Sequence, residues 1–137
     1  MRIVGIMASL LTILVSAAPS ASAEPKQLPK LYKGAATDFT GRALIREFPF
    51  TEDAGSRDIA CNQRINRVRY RCEVSFGAGD VGFKGGIKVR YIVKAGNRLG
   101  YRYALRVVQT NYYCIYGLDN PREECQETVR KTGNGYA

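Results

Sequence analysis

Arg67-Val68-Arg69-Tyr70-Arg71-Cys72-Glu73-Val74-Ser75-Phe76 alternates strictly between charged or polar residues and apolar ones. A period of two puts Val68, Tyr70, Cys72, Val74 and Phe76 on one face of a β-strand and Arg67, Arg69, Arg71, Glu73 and Ser75 on the other. Only the first face needs a cover. The same alternation returns twice downstream: Ile87, Val89, Tyr91 and Val93 against Lys88, Arg90, Ile92 and Lys94, then Tyr101, Tyr103, Leu105 and Val107 against Arg102, Ala104, Arg106 and Val108. The stretches 77–80 and 95–100 hold turn-forming residues, and connections this short make neighbouring strands antiparallel. Gly85-Gly86, just ahead of the second alternating segment, is placed for a β-bulge.

Upstream, 57–64 reads as a shorter strand that turns near Asn66, a residue tolerant of the positive φ a tight hairpin requires. Before it, Thr37 or Asp38 can cap a helix that carries Phe39, Ala43, Leu44 and Phe48 at helical spacing and ends before Pro49. Gly41 lies inside that helix and weakens it. Near the C-terminus Asn120, Pro121 and Glu123 match a helix start, and Gly133 is placed to stop it. The fold class expected is α+β: an antiparallel sheet of about four strands in a meander, an N-terminal helix packed on its apolar face, and a short C-terminal helix or capped tail.

The N-terminus carries an address. Arg2 precedes the apolar run 3–15, and a small-residue stretch ends in Ala21-Ser22-Ala23, the order of a secretory signal. As a helix that run would span about 20 Å, short of a bilayer core of about 30 Å. The expected division is a signal peptide over 1–23, a flexible lead-in over 24–36, one domain over 37–133 and a tail over 134–137. The processed chain is expected outside the cell or at its envelope, without a transmembrane segment. Four cysteines, Cys61, Cys72, Cys114 and Cys125, suit an oxidising compartment and allow three pairings. Cys61 with Cys72 and Cys114 with Cys125 is favoured, since each pair is eleven positions apart with turn-forming residues between. A zinc site lacks both a Cys-x-x-Cys and any histidine, so no metal or cofactor is expected.

The segment 59–76, with Cys61, Arg64, Arg67, Val68, Arg69, Arg71, Cys72 and Val74, resembles small secreted proteins of actinobacteria that carry a helix before a Cys-bracketed basic hairpin. That resemblance implies an address and a fold, and no activity. The helix-on-meander order is also similar to cystatin-like folds, although no inhibitory motif is present.

Enzyme chemistry has little to work with. Without histidine there is no Ser-His or Cys-His pair, and Ser56 and Ser75 are the only serines after the signal. A carboxylate pair for glycoside hydrolysis stays open among Asp53, Asp58, Glu73 and Asp80, beside the plainer role of turn and surface acids. Asp38 and Asp119 suit capping, and Glu123, Glu124 and Glu127 a solvated helix face. The expectation is a non-enzymatic protein.

The formal net charge is +9. Strand parity puts Arg67, Arg69, Arg71, Lys88, Arg90, Lys94, Arg102 and Arg106 on the face away from the helix, with Glu73 the only acid among them. A solvated face would usually mix signs, and like charges on neighbouring strands cost about 0.2–1 kcal/mol per pair. The reading is an anion-binding face for an envelope polymer, lipid headgroups of a membrane surface, or an acidic protein. Nucleic acid fits the charge but would want aromatic stacking platforms, and Tyr70, Tyr91, Tyr101 and Tyr103 fall on the helix side, leaving Tyr112 and Tyr116. The alternative function is inhibition of a secreted hydrolase through the loops 77–80 and 95–100.

Overall fold

A computed structural model describes residues 27–116 and 125–137. The expected signal segment 1–23 and the capping signal Asn120-Pro121-Glu123 lie outside the described residues. Helix α1 (Lys33–Glu47) is followed by two 3-10 turns and five strands, β1 (Arg57–Asn66), β2 (Arg69–Ala78), β3 (Val81–Lys94), β4 (Arg98–Asn111) and β5 (Gln126–Tyr136), with a short helix α2 (Tyr112–Tyr116) between the last two. The strands pair antiparallel in the order β1-β2-β3-β4-β5, an α+β meander under one long helix. Among the described residues no helix is long and apolar enough to cross a membrane.

The alternating residues bury as their period dictates. Cys72, Val74, Ile87, Val89, Tyr103, Leu105 and Val107 form the sheet side of the core, and Ala36, Phe39, Ala43 and Leu44 the helix side. Gly41 is buried because the helix passes close to the sheet there, and a Cβ at that position would meet the Arg57 guanidinium at 3.6 Å. The Phe39 ring stacks on Tyr101 at 4.6 Å, with the Arg42 guanidinium over both rings. At the other end Phe48, Phe76 and Phe83 pack as a cluster, Phe76 on Phe83 at 4.8 Å.

The helix starts earlier than its capping residues indicate. Neither Thr37 nor Asp38 is a cap: Tyr32 holds the N-cap position, the Thr37 hydroxyl donates back to the Lys33 carbonyl at 2.9 Å, and Asp38 pairs with Arg42 at 2.8 Å. Leu31, in the expected lead-in, is fully buried, and its N–H donates to the Arg67 carbonyl at 2.8 Å. Burial of Leu31 fixes the chain ahead of the helix, so no side-chain cap is needed to set its start.

Three further details differ from expectation. The turn after β1 uses Asn66 at ordinary φ, its Oδ1 accepting from the Val68 N–H at 3.0 Å, so a side-chain hydrogen bond replaces the left-handed residue. Gly85-Gly86 forms no bulge, since both neighbouring strands pair through it in unbroken register; the shifts fall in β1 instead, between Ala60 and Gln63 and between Arg64 and Asn66. Among the described residues the short helix of the C-terminal part is α2, and Gly133, read as a helix stop, lies inside strand β5. The Tyr103 and Tyr101 rings lie against the backbone of Gly133 and Gly135, where a Cβ would come within 2.3 Å and 2.6 Å of ring atoms. Those rings supply the apolar surface that the glycines lack.

Cys61 bonds Cys72 and Cys114 bonds Cys125, the favoured pairing. The first disulfide joins β1 to β2 under the helix, where the Thr40 hydroxyl donates to the Cys72 sulfur at 3.4 Å. The second closes the passage from β4 to β5, with Cys114 on α2 and Cys125 just before β5. Two such bonds fit an extracellular protein.

Tyr103 ties the helix end to the sheet. Its hydroxyl donates to the Glu47 carboxylate at 2.5 Å, and burial, then that hydrogen bond, push its pKa far above the usual tyrosine value of 10.0. The folded chain therefore keeps a proton that the unfolded chain releases, so stability is full below pH 10 and falls as pH rises above it. Tyr91 adds to this in the same direction through burial. Tyr103→Phe is expected to cost about 1 kcal/mol at neutral pH in urea denaturation. It should also flatten the loss of stability above about pH 10; an unchanged alkaline limb would assign that limb to other groups.

Candidate functional site

The helix covers one face of the sheet, and the register of the other can be read as rows. Arg69 on β2 pairs with Arg90 on β3, which pairs with Arg102 on β4 and then Asn134 on β5. Arg71, Lys88, Ala104 and Thr132 form the next row. Glu73, Gly86, Arg106 and Arg130 form the third, with Ala60 of β1 beside Glu73. The fourth is Asp58, Ser75, Lys84, Val108 and Thr128. Cβ atoms of directly paired residues stand about 5 Å apart, so the first row roots three arginines side by side on adjacent strands. None of the cations in these rows is in an ion pair; the one ion pair among the described residues is Arg42 with Asp38 on α1.

Arg69, Arg71, Lys88, Arg90, Arg102 and Arg106 share this face, as parity predicts. Lys94 shares it at the far end but is engaged: its ammonium lies 4.3 Å from the centroid of the Tyr136 ring and donates to Asn134 Oδ1 at 2.5 Å. Arg67 does not belong to the set. It sits in the two-residue turn 67–68, since β2 starts only at Arg69, so strand parity does not govern its side chain. Three further cations lie on this face outside the predicted set, Lys84, Arg98 and Arg130, and one acid, Asp58. Lys84 was legible from the same period once the register runs unbroken through the glycine pair. Arg130 was hidden by the helix signature around it.

The face is concave. An open depression of about 1150 Å³ lies across β1 to β5, with Gly86, Ala104 and Ala60 at its floor and Arg71, Lys88, Lys84, Arg106, Arg130 and Glu73 along its walls. The floor is low because those positions carry at most a methyl group. The Arg71 guanidinium reaches over Gly86, within 3.6 Å of where a Cβ would stand. Its neighbour Gly85 serves the backbone: a Cβ there would come 2.2 Å from the Arg106 carbonyl and 2.7 Å from the Val107 Cα. Only glycine permits β3 and β4 to approach so closely.

Aromatic rings stand at the ends of the face and leave the depression itself bare. Tyr112 lies over Gly82 and is 43% exposed, and Tyr136 is held beneath Lys94 and Arg98. Tyr70, Tyr101 and Tyr103 are buried on the helix side, and Tyr91 is half-buried there. No family model matches the chain, and no curated protein or solved structure is significantly similar to it. The chemistry of the face therefore carries the functional reading.

The two glycines should respond oppositely to a methyl group. Gly85→Ala is expected to destabilise the fold by more than about 3 kcal/mol, because backbone must move to admit the Cβ. Gly86→Ala, whose Cβ would make ordinary contacts of 3.5 Å and longer, should stay within about 1 kcal/mol of the parent. Thermal melts of both variants check the contrast.

Proposed function

We propose that this protein is a secreted, non-enzymatic binding module that holds an anionic partner on the open face of its sheet. The observation that carries the reading is the lateral row Arg69, Arg90 and Arg102, like charges on adjacent strands with no counter-ion. Such a row is unfavourable by itself, and stability alone gives no reason to keep it. An anion seated across it removes the repulsion and accepts charge-assisted hydrogen bonds from arginine forks. Arg71, Lys88, Arg106, Lys84 and Arg130 extend the positive field beyond the row. Expression outside the cytoplasm is in keeping with the two disulfides.

Loop-mediated inhibition of a hydrolase has less in its favour. The β2–β3 turn is the two residues 79–80, and the β3–β4 connection is Ala95–Asn97. Turns this short have little reach into an enzyme cleft. A broad rigid sheet offers more surface and needs no ordering on binding.

The reading is tested by retention of the purified, oxidised protein on an immobilised anionic polymer across a salt series. Affinity should fall linearly on a log–log plot against salt, and Arg69→Ser, Arg90→Ser and Arg102→Ser together should reduce that slope by about three. A control that removes equal charge elsewhere, Lys30→Ser, Lys33→Ser and Lys131→Ser, should elute close to the parent. Equal loss in both variants would mean that net charge alone drives retention.

A further inference from the structure

We propose that the depression around Gly86 and Ala104 is a subsite for an anionic glycan, a polymer whose sugar rings carry both acidic groups and free hydroxyls. The inference rests on the anion-binding reading and narrows it to one class of ligand. Its basis is a gradient in the rows. The first holds three arginines and no acid, whereas the third and fourth bring Glu73 and Asp58 among Arg106, Arg130 and Lys84.

A surface for a plain polyanion would gain nothing from two carboxylates, which repel it. A sugar ring is different. Its hydroxyls donate hydrogen bonds to carboxylates, and these are the strong charge-assisted kind, while its acidic group is met by arginine or lysine a few ångströms away. Ser75, Thr128 and Thr132 add hydroxyls that both donate and accept. Cations and acceptors interleaved over one concave floor match a ring with both kinds of substituent.

Shape and size agree. The depression, about 1150 Å³, is somewhat larger than the roughly 300–1,000 Å³ of pockets for small ligands, as a site for more than one sugar ring requires. From the Ser75 row to the Arg69 row the face runs about 20 Å along β2, enough for a short oligosaccharide. No aromatic ring lines the depression, so unpaired nucleic acid bases would find no stacking platform there. A flat plane of lipid headgroups would meet the rim and leave the floor empty.

Titration calorimetry of the oxidised protein at physiological salt can separate these ligands. The probes are polygalacturonate (carboxylate on rings), heparin (sulfate on rings), inorganic polyphosphate (charge without rings) and dextran (rings without charge). The proposal expects binding of at least one charged glycan and none of dextran. It expects Glu73→Ala to weaken the glycan by about tenfold through a lost charged hydrogen bond, while strengthening polyphosphate by removing a like charge. Ala104→Leu, which fills the floor at an exposed position, should abolish glycan binding and leave polyphosphate within about twofold. Preference between polygalacturonate and heparin would assign the acidic group as carboxylate or sulfate. If Glu73→Ala strengthens glycan and polyphosphate alike, or Ala104→Leu spares both, the subsite is wrong while anion binding stands. If no charged probe binds, and the triple arginine variant behaves as the parent, the anion-binding reading has failed as well. Melting curves of each variant establish that the fold is retained.

Discussion

A sheet has two faces, and the described part of this chain has one long helix with which to cover them. That constraint organises everything else. Period-two alternation delivers Cys72, Val74, Ile87, Val89, Leu105 and Val107 to the helix side, where Phe39, Ala43 and Leu44 exclude water. Burial of each large apolar side chain is worth about 1.5–3 kcal/mol, so the strands cannot turn over without losing the core. The opposite face is thereby left in water. What it carries is then free to vary, and it carries arginine and lysine in rows.

Backbone geometry connects the two faces at Gly85 and Gly86. Gly85 lets β3 approach β4 more closely than any side chain would allow, and Gly86 leaves the floor of the depression open on the other side. One dipeptide thus serves packing and surface shape at once. A comparable economy appears at the sheet edge, where Gly133 and Gly135 of β5 make room for the Tyr103 and Tyr101 rings. Arg42 and Arg46 of the helix donate to the edge carbonyls of Tyr136 and Asn134, which occupies part of an edge otherwise open to pairing with another chain.

The period-two strands were legible in the sequence because burial on one face enforces that period, and Arg69, Arg71, Lys88, Arg90, Arg102 and Arg106 followed directly from it. The errors share a cause. They fall where a residue's partner is distant in sequence. Arg67 lies one step past the strand, in a turn set by the Asn66 side chain and the buried Leu31. Lys84 was obscured because a glycine pair reads locally as a break, whereas the contact that demands it comes from β4. Arg130 and the whole of β5 are obscured because Asn120, Pro121, Glu123 and Gly133 read in sequence as the bounds of a helix, while the apolar cover for β5 comes from tyrosines on its neighbour. Asp58 reads from the sequence as one of the turn and surface acids or as part of a carboxylate pair, and only the β1 register places it beside Ser75 on the open face.

The central claim is that the open face, and not the turns, is where this protein meets its partner. Amide chemical shifts followed during titration with a short anionic polymer test it most directly. The account predicts that the largest changes cluster at Arg69, Arg71, Lys88, Arg90, Arg102 and Arg106 and fade when salt is raised. Changes confined to 77–80 and 95–100 would contradict it and assign recognition to the turns.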